Sequence, residues 1–187
     1  MKTKKSFLFI YVVAILFYYS QSVKAQLPID KETNKVKFTN IVDLPLLSKD
    51  KIYKKAKLWI VSTLKSGDNM VELSGDNSDQ IIGTGNILLD SLKIEKYIAQ
   101  DAILNFKFII FCKDNKLKYS VENFNLHYEY ALHSYNTELE EIKSPEYISN
   151  KYLVEFNKQT PIYLKKKIDN LIADFIYSMK KTESDDW

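Results

Sequence analysis

Residues 102–113, AILNFKFIIFCK, constrain this chain more than any other stretch. Ala102, Leu104, Phe106, Phe108, Ile110 and Cys112 fall on one side of an extended strand. Ile103, Asn105, Lys107, Ile109, Phe111 and Lys113 fall on the other. Successive strand side chains point to opposite faces, so the first set demands an apolar partner layer while the second is mixed. Asp114-Asn115-Lys116 supplies turn chemistry, and Leu117, Tyr119 and Val121 return as the next strand. The alternation then changes phase to Phe124, Leu126 and Tyr128, which predicts a bulge near Asn123. An antiparallel sheet built around this hairpin is the expected centre of the fold.

The remaining elements arrange themselves about it. Val36, Phe38 and Asn40 alternate with Lys37 and Thr39, giving a first strand over 36–44 that Pro45 closes. Ser48 can cap a helix with Asp50 in its first turn. Ile52, Tyr53, Ala56, Trp59, Ile60 and Leu64 then recur at helical spacing until Gly67. Lys51, Lys54, Lys55 and Lys57 occupy the opposite face, which reads as solvated. Trp59 is the expected core anchor of this helix. Met70, Val71 and Leu73 suggest a short second strand, Ser74-Gly75-Asp76-Asn77 a turn, and Gln80 to Leu89 a third strand. Gly83-Thr84-Gly85 interrupts that strand, marking either a bulge or close approach of helix 49–65.

Residues 90–100 read as a polar connection, and 130–160 as weakly periodic, with a short helix from Pro145. Thr160-Pro161 then opens a helix over about 161–181, striped by Leu164, Ile168, Leu171, Ile172, Phe175, Ile176 and Met179. The order β-α-β-β-β-β-α predicts an α+β domain: a five-stranded antiparallel sheet with two helices packed on one face.

The amino terminus bears on location. Lys2, Lys4 and Lys5 precede an apolar run from Phe7 to Tyr19, and Val23-Lys24-Ala25 offers a cleavage site. A spanning helix needs about 20 apolar residues, and this run has 13, so the pattern is that of a secretory leader over 1–25. Export to the periplasm or cell envelope is expected, with residues 26–187 as one domain and membrane contact only through the leader. The full chain carries a formal charge of +3, but its leader holds Lys2, Lys4, Lys5 and Lys24 and no acid. The remaining 162 residues hold 23 lysines against 24 acids, a net charge of −1. There is no arginine, hence no guanidinium fork to read guanine or phosphate, and nucleic acid is not an expected partner.

Several blocks in this order carry a family resemblance. They are Val42-Asp43-Leu44-Pro45, Ser48-Lys49-Asp50 with Ile52-Tyr53, Ala56-Lys57-Leu58-Trp59, the Gly83-Thr84-Gly85 strand, and the hairpin Lys113-Asp114-Asn115-Lys116-Leu117-Lys118-Tyr119. Together they resemble an exported bacterial domain-of-unknown-function family with a TATA-binding-protein-like fold, over roughly 36–128. Asn115 and the neighbouring lysines stand where that family favours glycine and arginine. The resemblance implies the fold, brings no catalytic residues, and does not imply DNA binding.

Few residues suggest chemistry. His127 and Glu129 could share a strand face near His133, but no metal-ligand spacing accompanies them, so no metal is expected. Gly83 and Gly85 lack the third glycine and following helix of a nucleotide loop, and no cofactor is indicated. Cys112 reads as a small buried hydrophobe, with a reactive or intermolecular thiol as the alternative. Glu138, Glu140 and Glu141 read as solvated. The informative feature is the second face of strand 102–113. With two helices for two faces, either Ile103, Lys107, Ile109, Phe111 and Lys113 form a lysine-rimmed apolar patch, with Tyr128 or Tyr130 nearby, or the 130–160 segment or the chain terminus covers that face. The reading is a non-catalytic envelope binding module whose partner is a protein, peptide or amphiphile. Its alternatives are a small envelope hydrolase near His127, Glu129 and His133, and a carrier holding an amphiphile between sheet and helices.

Overall fold

In the computed structural model, residues 27–64, 72–73, 79–89, 93–94, 97–98, 100–130, 133–141 and 151–181 are described. The expected leader, Met70, Val71, the turn at 74–77, Gly67 and Pro145 lie outside them. The strands are β1 (Phe38–Asp43), β2 (Glu72–Leu73), β3 (Gln80–Leu88), β4 (Lys93–Ile94), β5 (Tyr97–Ile98), β6 (Gln100–Lys113), β7 (Lys116–Tyr130) and β8 (His133–Glu138). The helices are α1 (Lys49–Thr63) and α2 (Lys151–Lys180).

The sheet is antiparallel and five positions wide, in the order β1-β7-β6-β3-β2. A sixth strand, β8, extends it: β1 pairs with residues 116–121 of β7, and β8 with residues 125–130 of the same strand. The expected bulge lies between these two pairings. Asn123 takes the left-handed backbone region at φ 56°, and the β6–β7 register shifts between Asn105 and Lys107. Two sequence expectations give way. The 90–100 connection contains a small β4–β5 hairpin. The final helix begins at Lys151, not near 161, so Pro161 lies inside it. Proline withholds one N–H from the helical ladder but its φ matches the helix, so Thr160-Pro161 marks a passage and not a start.

Both helices cover the β6 face that holds Ala102, Leu104, Phe106, Phe108, Ile110 and Cys112, all buried. Ser48 caps α1, accepting from the Lys51 N–H at 3.4 Å. The buried stripe Ile52, Ala56, Trp59 and Ile60 faces the sheet. Trp59 lies 5.2 Å from the Phe108 ring and 4.8 Å from Phe175 of α2, centroid to centroid. Its indole N–H donates to Asp174 Oδ2 at 2.8 Å, so one side chain joins sheet, α1 and α2. Leu164, Ile168, Ile172, Phe175 and Met179 form the buried stripe of α2.

Close approach, not a bulge, explains the glycines in β3. The β3–β6 register runs unbroken from Gln80 to Leu88. A Cβ on Gly83 would lie 2.9 Å from Ile60 Cγ2, and one on Gly85 2.9 Å from Phe106 Cζ and 3.0 Å from Leu64 Cδ2. Helix α1 therefore sits on bare backbone at these positions. Overpacking costs about 1–3 kcal/mol, so Gly83→Val is expected to lose that much stability in urea titration. Trp59→Ala removes a ring from the junction of three elements and is expected to cost about 3–5 kcal/mol. A thermal midpoint unmoved by the Trp59 change would disprove the helix-on-sheet packing.

Candidate functional site

The opposite, outer face of the sheet is different. No described helix lies on it, and the strand registers build it row by row. At the hairpin end, Asp43, Lys116 and Lys113 form one row. Ile41, Lys118, Phe111 and Gln80 form the next, followed by Thr39, Ser120, Ile109 and Ile82. Ile41 is 58% exposed and Phe111 41%. Around them lies a shallow hollow of about 370 Å³ lined by Ile41, Phe111, Lys113, Lys116, Leu117 and Lys118. Its walls are almost wholly carbon, because the lysines contribute their aliphatic stems. Among the described residues, none of these three lysines has an acid within ion-pair distance.

The five residues singled out from the sequence share this face but not one place on it. Phe111 and Lys113 border the hollow, and Ile109 lies half-buried in the next row. Lys107 sits opposite Glu122 in a polar band, and Ile103 lies beyond that band, opposite His127. Ile41, Lys116 and Lys118 were not singled out; the lysines reach the face of Phe111 through the β6–β7 hairpin pairing, and Ile41 joins them only through the β1–β7 pairing. Tyr128 requires a correction. Beyond the Asn123 bulge the parity of β7 reverses, so Tyr128 is buried on the helix side. The Tyr130 side chain lies outside the described residues.

The polar band limits the hollow. Lys37 Nζ lies 2.9 Å from Glu122 Oε2, and Ser120 Oγ donates to the same oxygen at 2.7 Å. Burial by itself would raise the Glu122 pKa, but the hydrogen bonds from Lys37 and Ser120 outweigh it and hold the carboxyl below its ordinary value. The Glu122 hydrogen bond raises Lys37 in turn, against the opposing effect of burial. Elsewhere, His127 Nδ1 stands 3.1 Å from Asn136 Oδ1, while the His133 side chain lies outside the described residues. Among the described residues, no group of three or more His, Cys, Asp or Glu side chains could hold a metal. Cys112 is fully buried on the helix side, and burial pushes its thiol up to about 11, which suppresses the nucleophilic thiolate. Glu140 departs from its expected solvated role, because its carboxylate accepts the Val36 N–H. Glu138 lies 3.6 Å from Lys35 across an exposed gap.

The Lys37–Glu122 pair has a defined pH signature. A lowered carboxyl pKa contributes stability above its unfolded value and loses it as pH falls through the folded value. For Glu122 that loss occurs below 4.5. For a partly exposed pair the contribution is about 1 kcal/mol or less. Glu122→Gln is therefore expected to be less stable at neutral pH, with the difference closing in acid; a difference independent of pH would contradict the pairing.

No curated protein matches the chain. A TBP-like protein from Parabacteroides distasonis, solved at 1.90 Å, superposes with a TM-score of 0.64 at 19% identity, covering 84% of this chain and 99% of its own. A DUF4468 family protein from Bacteroides ovatus gives a TM-score of 0.66 at 19% identity, covering 88% of this chain and 95% of its own. At such identity these likenesses speak for fold alone. The family described as "Domain of unknown function (DUF4468) with TBP-like fold" matches residues 38–127, which run from the first residue of β1 to His127 in β7. The blocks read from the sequence and the sheet they build thus converge on the TBP-like fold, and residues 38–127 are similar to the DUF4468 domain.

Proposed function

We propose that this protein is a non-catalytic binding module, exported by its amino-terminal leader to the periplasm or cell envelope, that docks a partner on the outer face of its sheet. The observation that supports this reading is the hairpin end of that face. Ile41 and Phe111 remain in water beside Lys113, Lys116 and Lys118, which have no acidic partner among the described residues. Apolar surface gains about 25 cal/mol for each Å² removed from water, so the hollow favours an apolar group. Unpaired ammonium groups at its rim favour negative charge. The partner is then an envelope component carrying both.

The space between the layers is less suited to a ligand. The Trp59, Phe108 and Phe175 rings meet there at 4.8–5.2 Å between centroids. A benzophenone side chain introduced at position 111 in the native host is expected to form a covalent adduct on illumination. The same group at position 58, where Leu58 is 70% exposed on α1, is expected to form none. Equal adducts at both positions, or none at 111, would overturn the docking surface. The recovered protein is expected to begin at Gln26, and an intact leader would overturn export.

A further inference from the structure

We infer that the occupant of this hollow is a single-chain anionic amphiphile, its alkyl chain over Phe111 and Ile41 and its head among Lys113, Lys116 and Lys118; the inference rests on the docking surface proposed above. A repulsion is left standing at the rim. Lys113 and Lys116 face each other directly across the last pair of the β6–β7 ladder. Like charges in that position destabilise a sheet. Lys118, two residues along and beside Phe111, adds a third positive charge to the same rim. Asp43 is the register partner of Lys116, yet no ion pair joins them. An anionic head set among the ammonium groups supplies the missing countercharge.

The other occupants fit less well. A second copy docking by a two-fold axis would bring this lysine rim against its own image. A peptide would bring backbone amides that need partners once they leave water. The hollow offers few: β6 and β7 are committed to ladders with their neighbours, and the Ile41 N–H on edge strand β1 donates to Asn40 Oδ1 at 2.8 Å. An alkyl chain makes no such demand. A bilayer surface presents its charge as a plane, and Asp43 and Asp114 at this end of the sheet would meet it together with the lysines. A single head group can reach the lysines alone. Lysine suits that head, since its ammonium is a compact charge that imposes no bidentate geometry.

The test is titration of the purified protein with dodecanoate below its micelle concentration, followed by calorimetry and by NMR. Saturable one-to-one binding is expected, with the largest shifts at Ile41 and Phe111 and none from dodecyltrimethylammonium. The double variant Lys116→Glu/Lys118→Glu is expected to bind at least tenfold more weakly with its thermal midpoint not lowered, since Lys116→Glu also removes the Lys113–Lys116 repulsion. Lys116→Gln/Lys118→Gln provides a second, milder removal of charge should the first fail to fold. Absent dodecanoate binding, equal binding of the cationic surfactant, or affinity unmoved by the folded variants would overturn the inference. So would binding confined to phosphatidylglycerol vesicles. A protein adduct at position 111 without dodecanoate binding would overturn the amphiphile and leave the docking face standing. No adduct and no binding would remove both.

Discussion

The tip of the β6–β7 hairpin grips the connection between β1 and α1, and the placement of the first helix depends on that grip. Asn115 donates its N–H to the Leu47 carbonyl at 2.9 Å and accepts from the Leu44 N–H at 2.7 Å. Its side-chain oxygen accepts from the Leu46 N–H at 2.9 Å, and Asp114 Oδ1 accepts from the Lys49 N–H at 2.7 Å. Asn115 stands at φ 63°, a region asparagine enters more readily than most residues. Glycine would enter it as easily but could not make the bond to Leu46. Leu46 itself sits at φ 72° with its side chain in solvent, a conformation unfavourable for leucine that the surrounding hydrogen bonds sustain. From this anchored start, α1 runs so that Trp59 reaches both Phe108 and Phe175.

One face of the sheet consequently carries the packing of both described helices, and no described helix lies on the other. An antiparallel sheet tolerates this because its ladder satisfies the backbone whatever the side chains meet. The outer face is not uniformly polar, however. The Lys37–Glu122–Ser120 group divides it into a lysine-rimmed end near the turn and a second end where Ile103 and His127 stand opposite each other. The division separates the charges by role: Lys37 is neutralised within the fold, while the rim lysines have no acidic partner among the described residues.

Period-two alternation made the central strand legible in the sequence, together with the phase change at Asn123 and the Ser48 cap. The glycine pair was legible as a need for space, since glycine in a strand interior otherwise weakens it. Strand β8 was not. Its sequence, HSYNTE, has no apolar alternation, and Ser134, Asn136 and Glu138 are exposed, so no hydrophobic pattern announces its pairing with β7. The start of α2 was misplaced because Thr160-Pro161 carries a local start signal inside a longer helix. At the candidate site, Lys107, Phe111 and Lys113 shared a face by parity alone. Ile41 entered only through its pairing with Lys118 in β7, a long-range contact that no local pattern encodes.

The double use of one β7 edge has a consequence for how the chain comes together in time. β1 emerges first during synthesis, yet its partners, residues 116–121, come roughly 80 positions later. At about 5–20 residues per second, that interval lasts on the order of 4–16 seconds. Throughout it, Val42, Ile52 and Trp59 have no sheet to bury against, while β6 and β7 can join across a short turn as soon as both exist. The earliest elements of the chain are therefore among the last to find their places, and the order of assembly runs against the order of synthesis.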